Sequence, residues 1–336
     1  MSLLTFTSSS IYCPQADVHI DPWKPVERAI ITHAHSDHAK WGCKHYLAHK
    51  DSEQILRMRL GEDISLQTVE YGENISINGV NISLHPAGHI IGSAQIRVEH
   101  NGEVWVASGD YKLQDDHFSK PFEPVKCNVF ITESTFGLPI YKWQPQQLVM
   151  DDINEWWRIN RLNNKCSVLM GYALGKMQRL IKNLQPFQGE VYAHGAVFNL
   201  NERLRNAGYD LPYLNPITST DKKLYRGALV LGPSSAVNSS WIKRFEPFSS
   251  AYCSGWMALR GARNRQALDR GFVLSDHADW DELNETVKAT GAEKVYVTHG
   301  YTDLFARWLN ENGIDAAEIK TMYGNEEAAE NQNETT

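Results

Sequence analysis

Thr32-His33-Ala34-His35-Ser36-Asp37-His38 closes a short β-prone run, Ala29–Thr32. On an extended segment, residues two apart face the same way, so His33 and His35 can bite one metal ion. A turn directly afterwards aims Asp37 and His38 at a second. Neutral imidazole and carboxylate suit zinc or manganese. A lone histidine is most often a packed or solvated side chain. Four ligand-type residues within six positions at a strand end are not explained that way.

Two later sites extend the pattern. His89 follows Pro86-Ala87-Gly88 and precedes Ile90-Ile91-Gly92-Ser93, and Asp110 ends Ser108-Gly109-Asp110. In each, a glycine stands directly before the candidate ligand, as a tight loop at a strand end requires. Either site alone reads as a turn; beside the first cluster, each reads as a ligand.

HAHSDH, then PAGH, then SGD, in that order, resembles the metallo-β-lactamase superfamily. The resemblance implies an α/β chain folded as an αββα sandwich with metals at one edge of its two sheets. It implies that His33, His35 and His89 hold one metal, that Asp37 and His38 hold the other, and that Asp110 bridges them. Asp21, in Ile20-Asp21-Pro22-Trp23, matches the first acidic motif, whose role is to orient a ligand histidine through a hydrogen bond.

Ile131-Thr132-Glu133-Ser134-Thr135-Phe136-Gly137, Leu274-Ser275-Asp276-His277-Ala278-Asp279 and Val297-Thr298-His299-Gly300 resemble motifs A, B and C of the β-CASP nucleases. The stretch between A and B has the size of the β-CASP cap. Gly171-Tyr172-Ala173-Leu174-Gly175-Lys176 and Ser254-Gly255-Trp256-Met257 within it fit the same group. By this resemblance, His299 is a seventh ligand, on the second metal, and His277 sits over the scissile phosphate, held by Glu133. The run from Ser254 to Arg263 and on from Asp269 to His277 looks most like the bacterial ligase-associated DNA exonucleases, as does Ile20-Asp21-Pro22-Trp23. That implies a two-metal phosphodiesterase with zinc or manganese, acting on DNA that is single-stranded or has free ends. It implies exonuclease action with a 5′→3′ lean, a place in DNA repair, and association with a DNA ligase and helicase. RNA stays open, because the motif C histidine is kept in the RNA-processing branch. A small-molecule hydrolase of the same fold is disfavoured by Glu133, His277, His299 and the long insertion. A catalytically dead nucleic-acid binder is disfavoured because every expected ligand is intact.

The chain has 336 residues, more than one ordinary core needs, which points to two domains or one with a large insertion. The expected division is 1–145 for the first part of the metallo-β-lactamase domain, 146–265 for the cap, 266–324 for the return segment and 325–336 for an acidic, disordered tail. Up to Phe136 the text reads as short strands, among them Val80–His85, Gln95–Val98, Val104–Ala107 and Val129–Thr132, with Asn101-Gly102 as a hairpin turn. From about Tyr141, strands alternate with helices (Gln147–Asn160, Ser167–Gly171, Lys176–Asn183, Glu190–Ala193, Ala228–Leu231), which predicts a parallel sheet in an inserted α/β domain. Helices are then expected over Asp279–Ala289 and Thr302–Asn312, flanking a strand at Lys294–Thr298.

Five scattered cysteines with no CxxC pair exclude a disulfide framework or a cysteine zinc finger and point to reduced thiols in a cytoplasm. The opening MSLLTFTSSS lacks a basic and then apolar leader, and no apolar run reaches bilayer length, so neither a secretory signal nor a membrane partner is expected. The formal net charge of −7 runs against a nucleic-acid partner, but the tail carries four glutamates and accounts for much of it. Bound cations would neutralise part of the rest. Phosphate binding must then come from local charge. Arg260 and Arg263, with Arg265 and Arg270, form an arginine-rich run that suits phosphate forks. Lys176 and Arg179 at a helix start, Ser134 in motif A, and Ser234 and Ser235 after Gly232-Pro233 are further candidates. Trp156, Trp157, Trp241 and Trp256 read as core rather than base-stacking platforms.

Overall fold

The computed structural model describes residues 2–237, 239–259 and 268–319. The chain divides into two compact units. One is built from the residues up to Asp115, Ser119–Lys142 and the segment from His277 onward; the other from Asp116–Phe118 and Trp143–Asp276.

The first unit contains two sheets. One is six-stranded: β1 (Thr5–Phe6), β2 (Ile11–Cys13), β3 (Val18–Ile20), β4 (Arg28–Ile30), β5 (His45–His49) and β6 (Leu66–Val69), paired in sequence order. Helix α1 (Glu53–Leu60) lies between its last two strands in sequence. The other sheet is seven-stranded. β7 (Asn74–Ile77), β8 (Val80–Pro86), β9 (Ala94–His100) and β10 (Glu103–Ala107) form an antiparallel meander that leads to β11 (Val129–Ser134). β11 then pairs in parallel with the late strand Lys294–Gly300, which pairs with the edge strand Asp315–Glu318.

The alternating apolar residues of β8 and β9 point Ile82, Leu84, Ile96 and Val98 toward Ile20, Ile30 and Leu47 of the first sheet, so the two sheets share one apolar layer. The opposite face of the second sheet presents Val106, Phe130, Val295 and Val297 to the apolar stripes of two late helices, Trp280–Thr290 and Thr302–Glu311. The first of these starts on a capping box, in which Asp279 accepts the Glu282 N–H, and ends on the left-handed Gly291.

In the second unit, helix α2 (Gln146–Leu162) precedes a sheet of β12 (Cys166–Gly171), β13 (Val191–Ala193), β14 (Asn215–Pro216), β15 (Leu229–Pro233), β16 (Phe248–Cys253) and β17 (Arg270–Phe272). Its order is β14-β13-β15-β12-β16-β17, with every pair parallel. Helices α3 (Lys176–Asn183) and α4 (Gly195–Asn206) link its strands. Trp156 and Trp157 are buried on α2, their indole N–H groups donating to Ser249 and to the Gly227 carbonyl. β17 extends this sheet beyond residue 265, so the return to the first unit falls at His277 rather than at 266. The two late helices are called α5 (Trp280–Thr290) and α6 (Thr302–Glu311), and the two late strands β18 (Lys294–Gly300) and β19 (Asp315–Glu318). Among the described residues no helix is long and apolar enough to cross a membrane.

Candidate metal centre

The centre forms where β4 runs out. Asp21, one residue past β3, has a left-handed backbone (φ 41°), and its carboxylate takes three hydrogen bonds. It accepts the Thr32 N–H at 2.8 Å, the Thr32 hydroxyl at 2.5 Å and His38 Nδ1 at 2.7 Å. With Nδ1–H committed to Asp21, His38 Nε2 turns its lone pair inward. The backbone between them turns on the His35 carbonyl, which accepts both the His38 and the Ala39 N–H.

Two groups of side chains converge there. His33, His35, His89 and Asp110 each offer an atom within 4.8 Å of the others, and so do Asp37, His38 and His299. His35 Nδ1 lies 3.1 Å from both His33 Nε2 and His89 Nε2. Asp110 Oδ2 reaches across, 3.3 Å from His33 Nε2 and 3.4 Å from His38 Nε2. The seven residues named from the sequence as ligands are thus brought together.

The local electrostatics suit a cation. Burial, reinforced by neighbouring His33, pulls His35 down to about 3, and burial also lowers His89 and His299, so these rings are neutral at working pH. Burial opposes ionisation of Asp37 and Asp110, but His38 and other histidines outweigh it, and both carboxyls stay below their usual range. Burial also opposes charge on His38, yet Asp110, Asp37 and Asp21 raise it well above an ordinary histidine. Asp37 Oδ1 and Asp110 Oδ1 are buried without a hydrogen-bond partner among the described residues. Orphaned polar atoms of this kind are costly unless a ligand satisfies them. Imidazole nitrogens and carboxylate oxygens in this number fit divalent cations.

The loops that carry the ligands are locked from beneath. Gly88 and Gly109 both have left-handed φ (76° and 57°), and a Cβ on Gly109 would come within 2.6 Å of the Thr32 side chain. Neither position admits a larger residue. Lys112 is buried, and its ammonium donates to the carbonyls of Gly88 and of His89, the latter at 2.7 Å. Sequence reasoning missed Lys112; its only signal was its place two residues after Asp110.

A third group lies alongside. Glu133, buried at the end of β11, holds His277 Nδ1 at 2.9 Å through Oε2 and accepts the Tyr111 N–H at 2.7 Å through Oε1. The Ala278 N–H donates to the Tyr111 carbonyl at 2.6 Å. His277 and the Asp110 loop are therefore fixed to one another through two links, and the His277 ring stands 4.6 Å from that of His89.

The expected phosphate contacts fare differently. Ser134 is fully buried and donates to the His299 carbonyl at 2.5 Å, so its hydroxyl holds a ligand strand in place. Lys176 and Arg179 are buried as well, paired to Asp276 at 2.8 and 3.0 Å. Arg179 also donates to the Ser275 carbonyl and to Gln146, so both cations serve the interior of the second unit rather than a surface track. Ser234 is buried and accepts the Tyr252 hydroxyl at 3.0 Å, whereas Ser235 is exposed. Arg260, Arg263 and Arg265 lie outside the described residues. Arg270 pairs with Asp152 at 3.1 Å.

Comparison with known proteins follows the same line. No family model matches the chain. A "Probable DNA ligase" of Opitutus terrae is 31% identical over 312 residues, covering 92% of this chain and 30% of the ligase. An "Endoribonuclease ysh-1" of Neurospora crassa is 31% identical over 131 residues, covering 37% of this chain and 15% of that protein. The chain thus spans less than a third of the length of either relative. A crystal structure of a protein of unknown function from Enterococcus faecalis V583 shares the fold, with a TM-score of 0.60 at 12% identity over 88% of this chain and 80% of the other. From the motif residues and these relatives together, the chain belongs to the β-CASP group of the metallo-β-lactamase superfamily.

Proposed function

We propose that this chain is a metal-dependent nuclease that hydrolyses phosphodiester bonds of DNA, working as an exonuclease with 5′→3′ polarity in DNA repair. The observation that carries the reading is the Glu133–His277 pair, set beside two His/Asp groups that share Asp110. Zinc or manganese ions held by those groups, one in each, would polarise a phosphoryl oxygen and activate a water. The remaining chemistry belongs to the chain. Asp21 fixes the ring and tautomer of His38. Asp110 ties the two groups together. Glu133 holds His277 by Nδ1, which leaves Nε2 as the atom that hands a proton to the leaving oxygen. His277→Ala should keep its metal and lose turnover, most for a poor leaving group, whereas Asp37→Ala should lose both.

The ligase relative, matched along nearly this whole chain, supports DNA and a functional association with a DNA ligase; association with a helicase is proposed alongside it. The five thiols, all without a disulfide, suit a cytoplasmic setting. A second reading, ribonuclease action, draws on His299 in the second ligand group and on the relative named as an endoribonuclease. End-labelled single- and double-stranded DNA and RNA, digested in parallel with a zinc and manganese series, test both. Stepwise shortening of DNA from the 5′ end is the expected result. Internal cuts in RNA with DNA untouched would replace this reading with the second, and no cleavage of any substrate by the metal-loaded chain would end both.

A further inference from the structure

Trp41 stands three residues past His38 and is 70% exposed. Every other described tryptophan is buried or half-buried except Trp308, whose indole N–H donates to Asn284 and whose ring packs on Trp280 at 5.1 Å. The Trp41 ring makes no hydrogen bond, ring contact or cation contact among the described residues. A single exposed apolar side chain is ordinary on a protein surface. Two features set this one apart.

The first is a fixed backbone. The Lys40 carbonyl accepts the Tyr46 hydroxyl at 2.8 Å and the Cys43 thiol at 3.6 Å, and the Tyr46 oxygen accepts the Cys43 N–H at 2.9 Å. Tyr46 is buried on β5, so the chain on each side of Trp41 is tied to the sheet. Gly42 has a left-handed φ of 93°, and a Cβ on it would stand 3.4 Å from Pro25, so the turn lies against the segment that enters β4. On the other side, the Ala39 N–H donates to the His35 carbonyl at 2.8 Å. Three residues span at most about 11 Å, which bounds the distance from the His38 backbone to that of Trp41.

The second feature is charge. β4 and β5 pair in parallel with Arg28 opposite His45, and the Lys44 N–H donates to the Val26 carbonyl at 3.1 Å. The same register, continued backward, sets Pro25 beside Gly42, where the two meet, and Lys24 beside Trp41. Residues 24–28 and 40–45 carry Lys24, Arg28, Lys40 and Lys44 against one carboxylate, Glu27, in a chain whose formal net charge is −7. Glu27 is taken up by Lys44 at 2.8 Å. Lys24, Arg28 and Lys40 make no ion pair among the described residues.

We propose that Trp41 is a stacking platform for an unpaired nucleobase of the strand presented to the metal centre, with Lys24 and Lys40 taking the phosphates beside it. An indole face stacks on any base, and free ammonium groups around it favour a polyanion. Lysine is depleted where proteins meet proteins, which argues against a protein partner as the occupant. A ring with two side-chain torsions on a fixed backbone loses little freedom when a base settles on it.

The platform rests on the nuclease reading for the identity of its ligand, and the experiment keeps the two apart. The metal-loaded full chain is titrated, by fluorescence anisotropy, with a labelled single-stranded DNA oligonucleotide whose phosphorothioate links resist cleavage, and with an abasic strand of the same length and links. Cleavage of ordinary single-stranded DNA is followed in parallel. Trp41→Ala should bind the base-bearing strand about 5- to 150-fold more weakly and the abasic strand as wild type does. Trp41→Phe should recover part of the loss, and it serves if Trp41→Ala folds poorly. Lys24→Ala combined with Lys40→Ala should weaken both strands alike and flatten the dependence on salt. Equal affinity of wild type and Trp41→Ala for the base-bearing strand overturns the proposal, as does a loss of the same size on both strands. A matched RNA strand, bound more tightly than DNA and equally sensitive to Trp41→Ala, would keep the platform and move its ligand to the second reading. Trp41-dependent binding in a chain that cuts no diester would overturn the nuclease reading and leave the platform standing.

Discussion

Replacing Asp21 by asparagine changes one oxygen for an NH₂ group, and the structure says what that costs. The carboxylate accepts three hydrogen bonds, from the Thr32 N–H, the Thr32 hydroxyl and His38 Nδ1. An asparagine there can keep the first through its amide oxygen. Its NH₂ then faces Thr32 and His38 as a donor, and His38 must offer Nδ1 as an acceptor. The imidazole proton moves to Nε2, the atom aimed at the metal, and the ring can no longer ligate without giving that proton up. A hydrogen bond to a charged group contributes about 1.5–3 kcal/mol, roughly 10- to 150-fold in an equilibrium constant. Loss of an outer partner of a ligand histidine typically weakens metal binding by about 10- to 100-fold. Both routes give the same range. Competition with a chelator, followed by elemental analysis, should therefore show zinc or manganese held about 10- to 100-fold more weakly by Asp21→Asn, with the secondary structure intact. Metal affinity equal to wild type would refute the reasoning, because it would mean that the His38 tautomer is not set from Asp21.

Asp276→Asn should lower stability by about 3–5 kcal/mol in denaturant titration, since Lys176 and Arg179 would be left buried without a carboxylate; a loss under about 1 kcal/mol would mean that the pair is not desolvated as drawn. His49 and His194 each cap a helical turn by accepting an N–H at 3.2 Å on Nδ1, and burial lowers both pKa values. The unfolded chain then binds these protons more readily than the folded one, so stability rises with pH through the ordinary histidine range and falls as pH drops below about 6.5. Thermal melts should be lower at pH 5 than at pH 7, and His194→Asn, which caps without titrating, should flatten the slope; an unchanged slope would contradict the lowered pKa of His194. Burial raises all five thiols, Cys127 and Cys253 to about 12, so at pH 8 native protein should react with a thiol reagent far more slowly than denatured protein, which should show five. Rapid native labelling of more than one cysteine would contradict the burial.

The candidate centre was legible because the residues proposed as its ligands lie at or beyond strand ends in short local signatures, which survive without any knowledge of the fold. The Glu133–His277 contact joins residues 144 apart and was reached only through the likeness of their motifs to a known group. Lys176 and Arg179 were misread for the opposite reason. Seen in sequence, two cations after a glycine loop look like a phosphate cradle, and nothing local says that the counter-ion, Asp276, arrives about a hundred residues later. Helix α1 escaped because eight residues with three buried apolar positions make too short a stripe. The cap boundary slipped because β17 is three residues long and is defined only by its register with β16.

β11 pairs on both edges, with β10 and with β18, and ends in Glu133 and Ser134. One side chain steers the imidazole of His277; the next holds the backbone of His299. Interior strands of this kind are the last part of a protein to exchange their amide hydrogens. Both contacts are therefore set by an interior strand: fraying at the sheet edges leaves them untouched, and any event that opens this strand would release the His277 imidazole and the His299 backbone in a single step.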